Sequence, residues 1–201
     1  MLAEVDETDR QIDAALADAA TRATLVLVPG LNDSGPEHWQ SHWQRRHDFW
    51  LRLNHSRWDT PDIGRWTSAL RRQLAGTSRP AILVGHSFGA LASVAFTLDP
   101  CREAPLAGLM LVAPAEPARF EVEDEVPAEP LGLPTVVVAS RNDPVMTFPR
   151  ARHWATTWGA ELVDLGEAGH INAEAGFGRW AYGLAVLNRL AARAGLISSA
   201  D

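Results

Sequence analysis

Lysine is absent from this chain: all 18 of its basic residues are arginines. That excludes a Schiff-base lysine for pyridoxal phosphate or an aldolase, a Ser-Lys dyad, and a P-loop lysine. Cysteine is nearly absent too. Cys101 stands alone, so no internal disulfide can form and a reducing, cytoplasmic setting is expected. No apolar run approaches the ~18 residues of a membrane span. The first residues, Met1-Leu2-Ala3-Glu4-Val5-Asp6-Glu7, are acidic where a signal peptide would be basic and then apolar. Basic clusters are limited to Arg45-Arg46 and Arg71-Arg72, and the net charge is −7, which argues against a nucleic-acid partner. Apolar residues, by contrast, are ample: at 46% of 201 residues they can fill one sizeable core.

The most informative stretch is Gly85-His86-Ser87-Phe88-Gly89. An apolar strand signal, Ala81-Ile82-Leu83-Val84, precedes it, and a helix signal, Ala90 through Phe96, follows. A G-x-S-x-G between strand and helix is a nucleophile elbow. The flanking glycines are expected to let the backbone turn sharply and lift the serine Oγ above the carboxyl end of a sheet. The helix that follows aims its N-terminus, with free N–H groups, at the same point.

A serine hydroxyl needs a base, and the base needs an orienting acid. In this architecture they follow in the order Ser, Asp or Glu, His. Thr135-Val136-Val137-Val138-Ala139 reads as a buried strand, with Asp143 in the turn Ser140-Arg141-Asn142-Asp143-Pro144 at its carboxyl end. Glu161 through Leu165 reads as the next strand, and His170 ends the loop leaving it. Ser87, Asp143 and His170 should therefore share one rim of a parallel sheet. Asp164, inside the preceding strand segment, is the rival acid. An oxyanion hole needs two N–H donors. Phe88 should supply one and the loop Pro29-Gly30-Leu31-Asn32 the other, with Leu31 preferred over Asn32.

Five segments carry a family resemblance. They are Leu27-Val28-Pro29-Gly30-Leu31-Asn32-Asp33-Ser34 with His38-Trp39, Trp58-Asp59-Thr60-Pro61-Asp62 with Trp66, the elbow, Ala139 through Pro144, and Gly169-His170-Ile171-Asn172-Ala173-Glu174. Across residues 24 to 182 the chain resembles the small α/β-hydrolases that include retinoblastoma-binding protein nine and bacterial relatives of the YdeN type. The resemblance implies a serine hydrolase with Ser87 as nucleophile, Asp143 as acid and His170 as base. It also implies a minimal α/β-hydrolase fold: about six parallel strands in the order 2-1-3-4-5-6, helices on both faces, and none of the antiparallel strands that open larger members. It implies no particular substrate.

Strands alternating with helices independently point to a parallel sheet covered on both faces. Residues 1–21 should form an N-terminal helical appendage, helical over about 5 to 20, that docks on the domain or at a subunit contact; residues 22–201 should form the single hydrolase domain. A helix is expected from Gly35-Pro36-Glu37 through Trp43, another over about 63 to 75, and a last one over about 173 to 194 with Asn172 as its N-cap. Pro114 to Pro134, about 20 residues, is too short for a cap domain with its own core. It carries Glu116, Glu121, Glu123, Asp124, Glu125 and Glu129 against Arg119 alone and should be a loop beside the site, either a lid or simply solvated.

Eight tryptophans are expected mainly in the core. Trp39 follows the oxyanion loop, so Trp39, Asn32 and His86 are the candidate substrate-binding side chains. His38 and His42 stand i, i+4, but no H-E-x-x-H and no third ligand accompany them, so neither a metal nor any other cofactor is expected. The leading reading is a hydrolase of small carboxylic esters. The same triad acting on thioesters, amides or lactones, and a protein-binding module on a hydrolase scaffold, remain alternatives. The partners would be a small-molecule ester, with neither nucleic acid nor membrane, and a homo-oligomer or protein partner left open.

Overall fold

The computed structural model describes residues 7–197. Six strands form one sheet in the order β2-β1-β3-β4-β5-β6, with every neighbouring pair parallel. They are β1 (Thr24–Val28), β2 (Trp50–Arg52), β3 (Ala81–His86), β4 (Leu106–Val112), β5 (Thr135–Ala139) and β6 (Glu161–Asp164). The helices are α1 (Glu7–Arg22), α2 (Trp39–Arg46), α3 (Ile63–Leu74), α4 (Phe88–Ala95), α5 (Phe148–Trp158) and α6 (Ala181–Arg193). β3 and β5 are buried along their whole length, and β1 and β4 beyond their first one or two residues, because helices cover both faces. The edge strands β2 and β6 are short and carry Arg52, Glu161 and Asp164, which blunts them against further pairing.

Strand alternation divides the apolar residues between two cores. Val26, Val28 and Leu83 face one side with Trp66, Phe88, Leu91 and Trp158 from α3, α4 and α5. Leu25, Leu27, Ile82 and Val84 face the other with Leu16, Trp39, Trp43 and Leu187 from α1, α2 and α6. α1 thus docks on the domain, packing against α6 with Leu16 and Ala19 buried. Its expected start at Val5 lies outside the described residues.

Two helix starts and one cap need correction. The helix expected from Gly35 begins at Trp39, because the His38 imidazole caps it, Nδ1 accepting the Gln40 N–H at 3.2 Å. The last helix begins at Ala181 rather than near residue 173. Asn172 caps only a turn, its Oδ1 accepting from Ala175 N–H at 3.0 Å; Gly176, at φ 84°, and Gly178 keep the chain from continuing as a helix. Residues 114–134 hold two 3-10 turns, Pro117–Phe120 and Glu123–Glu125, and no cap domain. In this loop Glu116 is not simply solvated: Arg150 of α5 grips it with Nε and Nη2 at 2.9 and 2.8 Å.

Candidate active site

After β1 the chain crosses to β2 on one side of it, then returns to β3 on the other. The crevice beyond the carboxyl ends of β1 and β3 is a switch point of the kind where open α/β sheets place their sites. Two turns meet there. Pro29-Gly30-Leu31 leaves β1, and Ser87 leaves β3 as the residue before α4.

Ser87 has φ 54° and ψ −121°, a conformation costly for any residue with a Cβ. The turn is pinned by Ser87 N–H donating to Val112 O at 3.0 Å and by Ala115 N–H donating to Ser87 O at 3.2 Å. The elbow glycines serve differently from the expectation, since neither has positive φ. A Cβ on Gly85 would lie 2.7 Å from Ala90 Cα, and one on Gly89 2.2 Å from Val28 O. They permit close approach of α4 to the sheet, while the serine itself takes the strained turn.

His170 Nε2 lies 2.9 Å from Ser87 Oγ, and His170 Nδ1 lies 2.9 and 3.0 Å from the two oxygens of Asp143. Asp143 is nearly buried, its side chain 4% exposed, and its Oδ1 also accepts from Val145 N–H at 2.8 Å. An ionised carboxylate is only an acceptor, so the imidazole proton belongs on Nδ1 and Nε2 is free to accept from the serine hydroxyl. Asp164 takes no part. Arg141 binds it with Nε at 2.9 Å and Nη2 at 2.7 Å, and Arg141 holds its carboxyl below the usual range.

On the other side of the crevice, Gly30 approaches the elbow so closely that a Cβ there would meet Ser87 Cβ at 2.9 Å and Phe88 N at 3.4 Å. Asn32 N–H is taken by Trp58 O at 2.8 Å, so this alternative oxyanion donor is removed. Among the described residues, the N–H groups of Leu31 and Phe88 carry no such bond. The Asn32 side chain is exposed on this loop. The loop is braced by Arg52, whose Nη2 donates to Ser34 O at 2.7 Å and also pairs with Asp33.

Two expected substrate contacts lie elsewhere. Trp39 is fully buried, its Nε1–H donating to Ile171 O at 3.0 Å. His86 is buried as well, with Nε2 2.9 Å from His170 O. Trp39 turns inward on the first turn of α2, and His86 follows Ile82 and Val84 on the same face of β3. Sequence reading does not single out Ser140, Asn142 or Arg52. Ser140 and Asn142 sat within a recognised segment, yet their acceptor roles toward the histidine loop depend on a contact 27 or 28 residues away.

His38 faces the core and His42 lies 3.5 Å from Glu37; among the described residues no group of three His, Cys, Asp or Glu could hold a metal ion. Burial first, then the positive charges of Arg52 and of His170 when protonated, push His38 down to about 4, against the opposing pull of Asp33. Folded His38 therefore stays neutral while the unfolded chain takes up a proton. Stability should be undiminished above about pH 6.5 and fall as pH drops from there toward about 4, by at most about 3 kcal/mol from this group. Urea unfolding of native and His38→Asn proteins between these limits should show a shallower pH slope in the variant, which keeps a capping acceptor. Equal slopes would count against the assignment.

The model of the Serine hydrolase family matches residues 25–189. The chain belongs to this serine hydrolase family. A protein described as a YdeN-like hydrolase from Pectobacterium atrosepticum is 52% identical, with a TM-score of 0.88 over 93% of this chain and 99% of that one. The ydeN gene product of B. subtilis has the same fold at 20% identity, with a TM-score of 0.68 over 84% of this chain and 98% of that one. So does an esterase domain from Rhodothermus marinus, at 16% identity and a TM-score of 0.58 over 86% and 87%. A search of curated proteins finds no match. This serine hydrolase is thus a hydrolase with the α/β-hydrolase fold, and none of its described helices is long and apolar enough to cross a membrane.

Proposed function

We propose that this serine hydrolase cleaves small carboxylic esters through an acyl-enzyme on Ser87, in a domain of residues 22–201 to which residues 1–21 are appended. The observation that carries the reading is the unbroken line from Asp143 through both nitrogens of His170 to Ser87 Oγ. Ser87 Oγ attacks the ester carbonyl carbon as His170 Nε2 takes its proton. The tetrahedral oxyanion is held by the N–H groups of Leu31 and Phe88. As it collapses, the imidazolium returns the proton to the leaving alkoxide, and the alcohol departs. Water then attacks the acyl-enzyme by the same steps, releasing the acid and restoring Ser87. Asp143 keeps the imidazole in the required tautomer and stabilises its charged form. The scheme calls on no cofactor.

A binding module would have no use for the strained backbone at Ser87, which favours the enzymatic reading over that alternative. Thioesters, amides and lactones share the same first step and stay as variants of the bond cleaved. The single cysteine supports a reducing, cytoplasmic setting.

A panel of p-nitrophenyl esters, acyl-thioesters, lactones and aminoacyl amides should show turnover of short-chain esters, and a fluorophosphonate should label Ser87 by peptide mapping. A folded protein that neither labels nor turns over any member of the panel would sink the proposal. Turnover confined to thioesters, lactones or amides would move it to the corresponding alternative.

A further inference from the structure

The loop that presents His170 is held in an unfavourable conformation. Gly169 has φ 55° and Ile171 has φ 47°. The latter is a β-branched residue in a region that such residues avoid, and it is fully buried. A backbone of this kind persists only when its surroundings impose it. Four side chains do so. Ser140 Oγ accepts from Ala168 N–H at 2.9 Å and Asn142 Oδ1 from Gly169 N–H at 2.8 Å; both stand in the loop that carries Asp143. The other two contacts are the ring nitrogens of His86 and Trp39, 2.9 and 3.0 Å from the carbonyl oxygens of His170 and Ile171.

The last two are the residues that looked from sequence like substrate contacts. We propose that His86 and Trp39 are positioning residues whose ring N–H groups clamp the His170 and Ile171 carbonyls and hold the imidazole in line with Ser87 Oγ. The inference rests on the reading of Ser87 and His170 given above. His86 directly precedes Ser87, so one residue ties the histidine loop to the backbone of the nucleophile. A slip of the loop relative to the elbow would need that bond to break.

His86 can serve only as an Nε2–H donor, because a carbonyl oxygen has no proton to give. Burial, with His38 and His170 adding to it when protonated, holds its pKa well below the ordinary value. The single proton of the neutral ring is then the one on Nε2. The rings of His38, at 4.6 Å, and Trp39, at 6.0 Å, pack against it and fix its orientation.

His86→Phe and Trp39→Phe keep an aromatic ring and remove the donor, whereas His86→Gln keeps a donor amide. Each variant would be assayed with p-nitrophenyl acetate, with thermal unfolding in parallel. Small misplacements of reacting groups cost up to about 10²-fold, so kcat should fall by about 10- to 100-fold in the two Phe variants with KM within about twofold. His86→Gln should recover much of the loss. Native kcat and KM in both Phe variants, with only the unfolding temperature lowered, would make the residues mere core packing and overturn the clamp.

A measurement on the native protein covers the case in which the variants do not fold. Spectra of ¹⁵N-labelled histidines at neutral pH should show His86 as the neutral Nε2–H tautomer, and an Nδ1–H tautomer overturns the clamp. Failure of the native protein to label with fluorophosphonate would instead overturn the proposed function, leaving the tautomer to decide the clamp.

Discussion

Ser87→Ala is expected to remove essentially all hydrolysis, on the order of 10⁵-fold or more in kcat, and all fluorophosphonate labelling, while the protein stays folded. Among the described residues, the hydroxyl's one side-chain bond is to His170 Nε2. The backbone of the turn is fixed separately, through the N–H to Val112 and the carbonyl to Ala115, so its loss should leave the elbow in place. Circular dichroism and the unfolding temperature of the variant should match the native protein closely.

The strain at this position gives a companion result. Alanine keeps a Cβ and therefore keeps the cost of φ 54°, whereas glycine does not. Ser87→Gly should be more stable than Ser87→Ala by about 1 kcal/mol, even after the extra backbone entropy of glycine in the unfolded chain is counted against it. Both should be inactive. Labelling that persists in the alanine variant would point to a different serine. An alanine variant more stable than the glycine variant would mean that the turn is not strained as its dihedrals indicate.

What could be read from the sequence is what a parallel sheet imposes. Strands that all point one way put every residue just after a strand on the same rim, so Ser87 after β3, Asp143 after β5 and His170 after β6 could be brought together from order and spacing alone. The strand order followed from the family resemblance. Direction within that rim could not be read. Trp39 follows the oxyanion loop and His86 lies within the elbow, yet Trp39 turns into the core from the first turn of α2 and His86 turns inward with Ile82 and Val84 on one face of β3. The elbow glycines show the same limit: the motif implied a special backbone, but it is Ser87 that bears the positive φ, while the glycines make room for α4 against the sheet. Side-chain pairs away from that rim could not be read. The partner of Glu116 is Arg150, 34 residues on, and without α5 in place the loop reads as six carboxylates against Arg119 alone.

Asp143→Asn is expected to lower kcat by about 10³- to 10⁴-fold with little change in fold. The size of the effect comes from tautomerism rather than from lost charge alone. Asp143 receives the Nδ1 proton of His170. An asparagine can turn its NH₂ toward Nδ1, which then becomes the acceptor, and the ring's proton moves to Nε2. A protonated Nε2 facing Ser87 Oγ at 2.9 Å cannot take the serine proton, so the imidazole would be present, well placed and inert. Asp164→Asn is the control. It should cost less than about threefold in kcat, since surface pairs of the Asp164–Arg141 kind contribute little and Asp164 touches neither His170 nor Ser87. Measuring kcat for both variants on one p-nitrophenyl ester separates the two acids. A large loss in Asp164→Asn beside near-native activity in Asp143→Asn would require the relay to be redrawn, with the Asp143 carboxylate reduced to holding the turn through Val145 N–H.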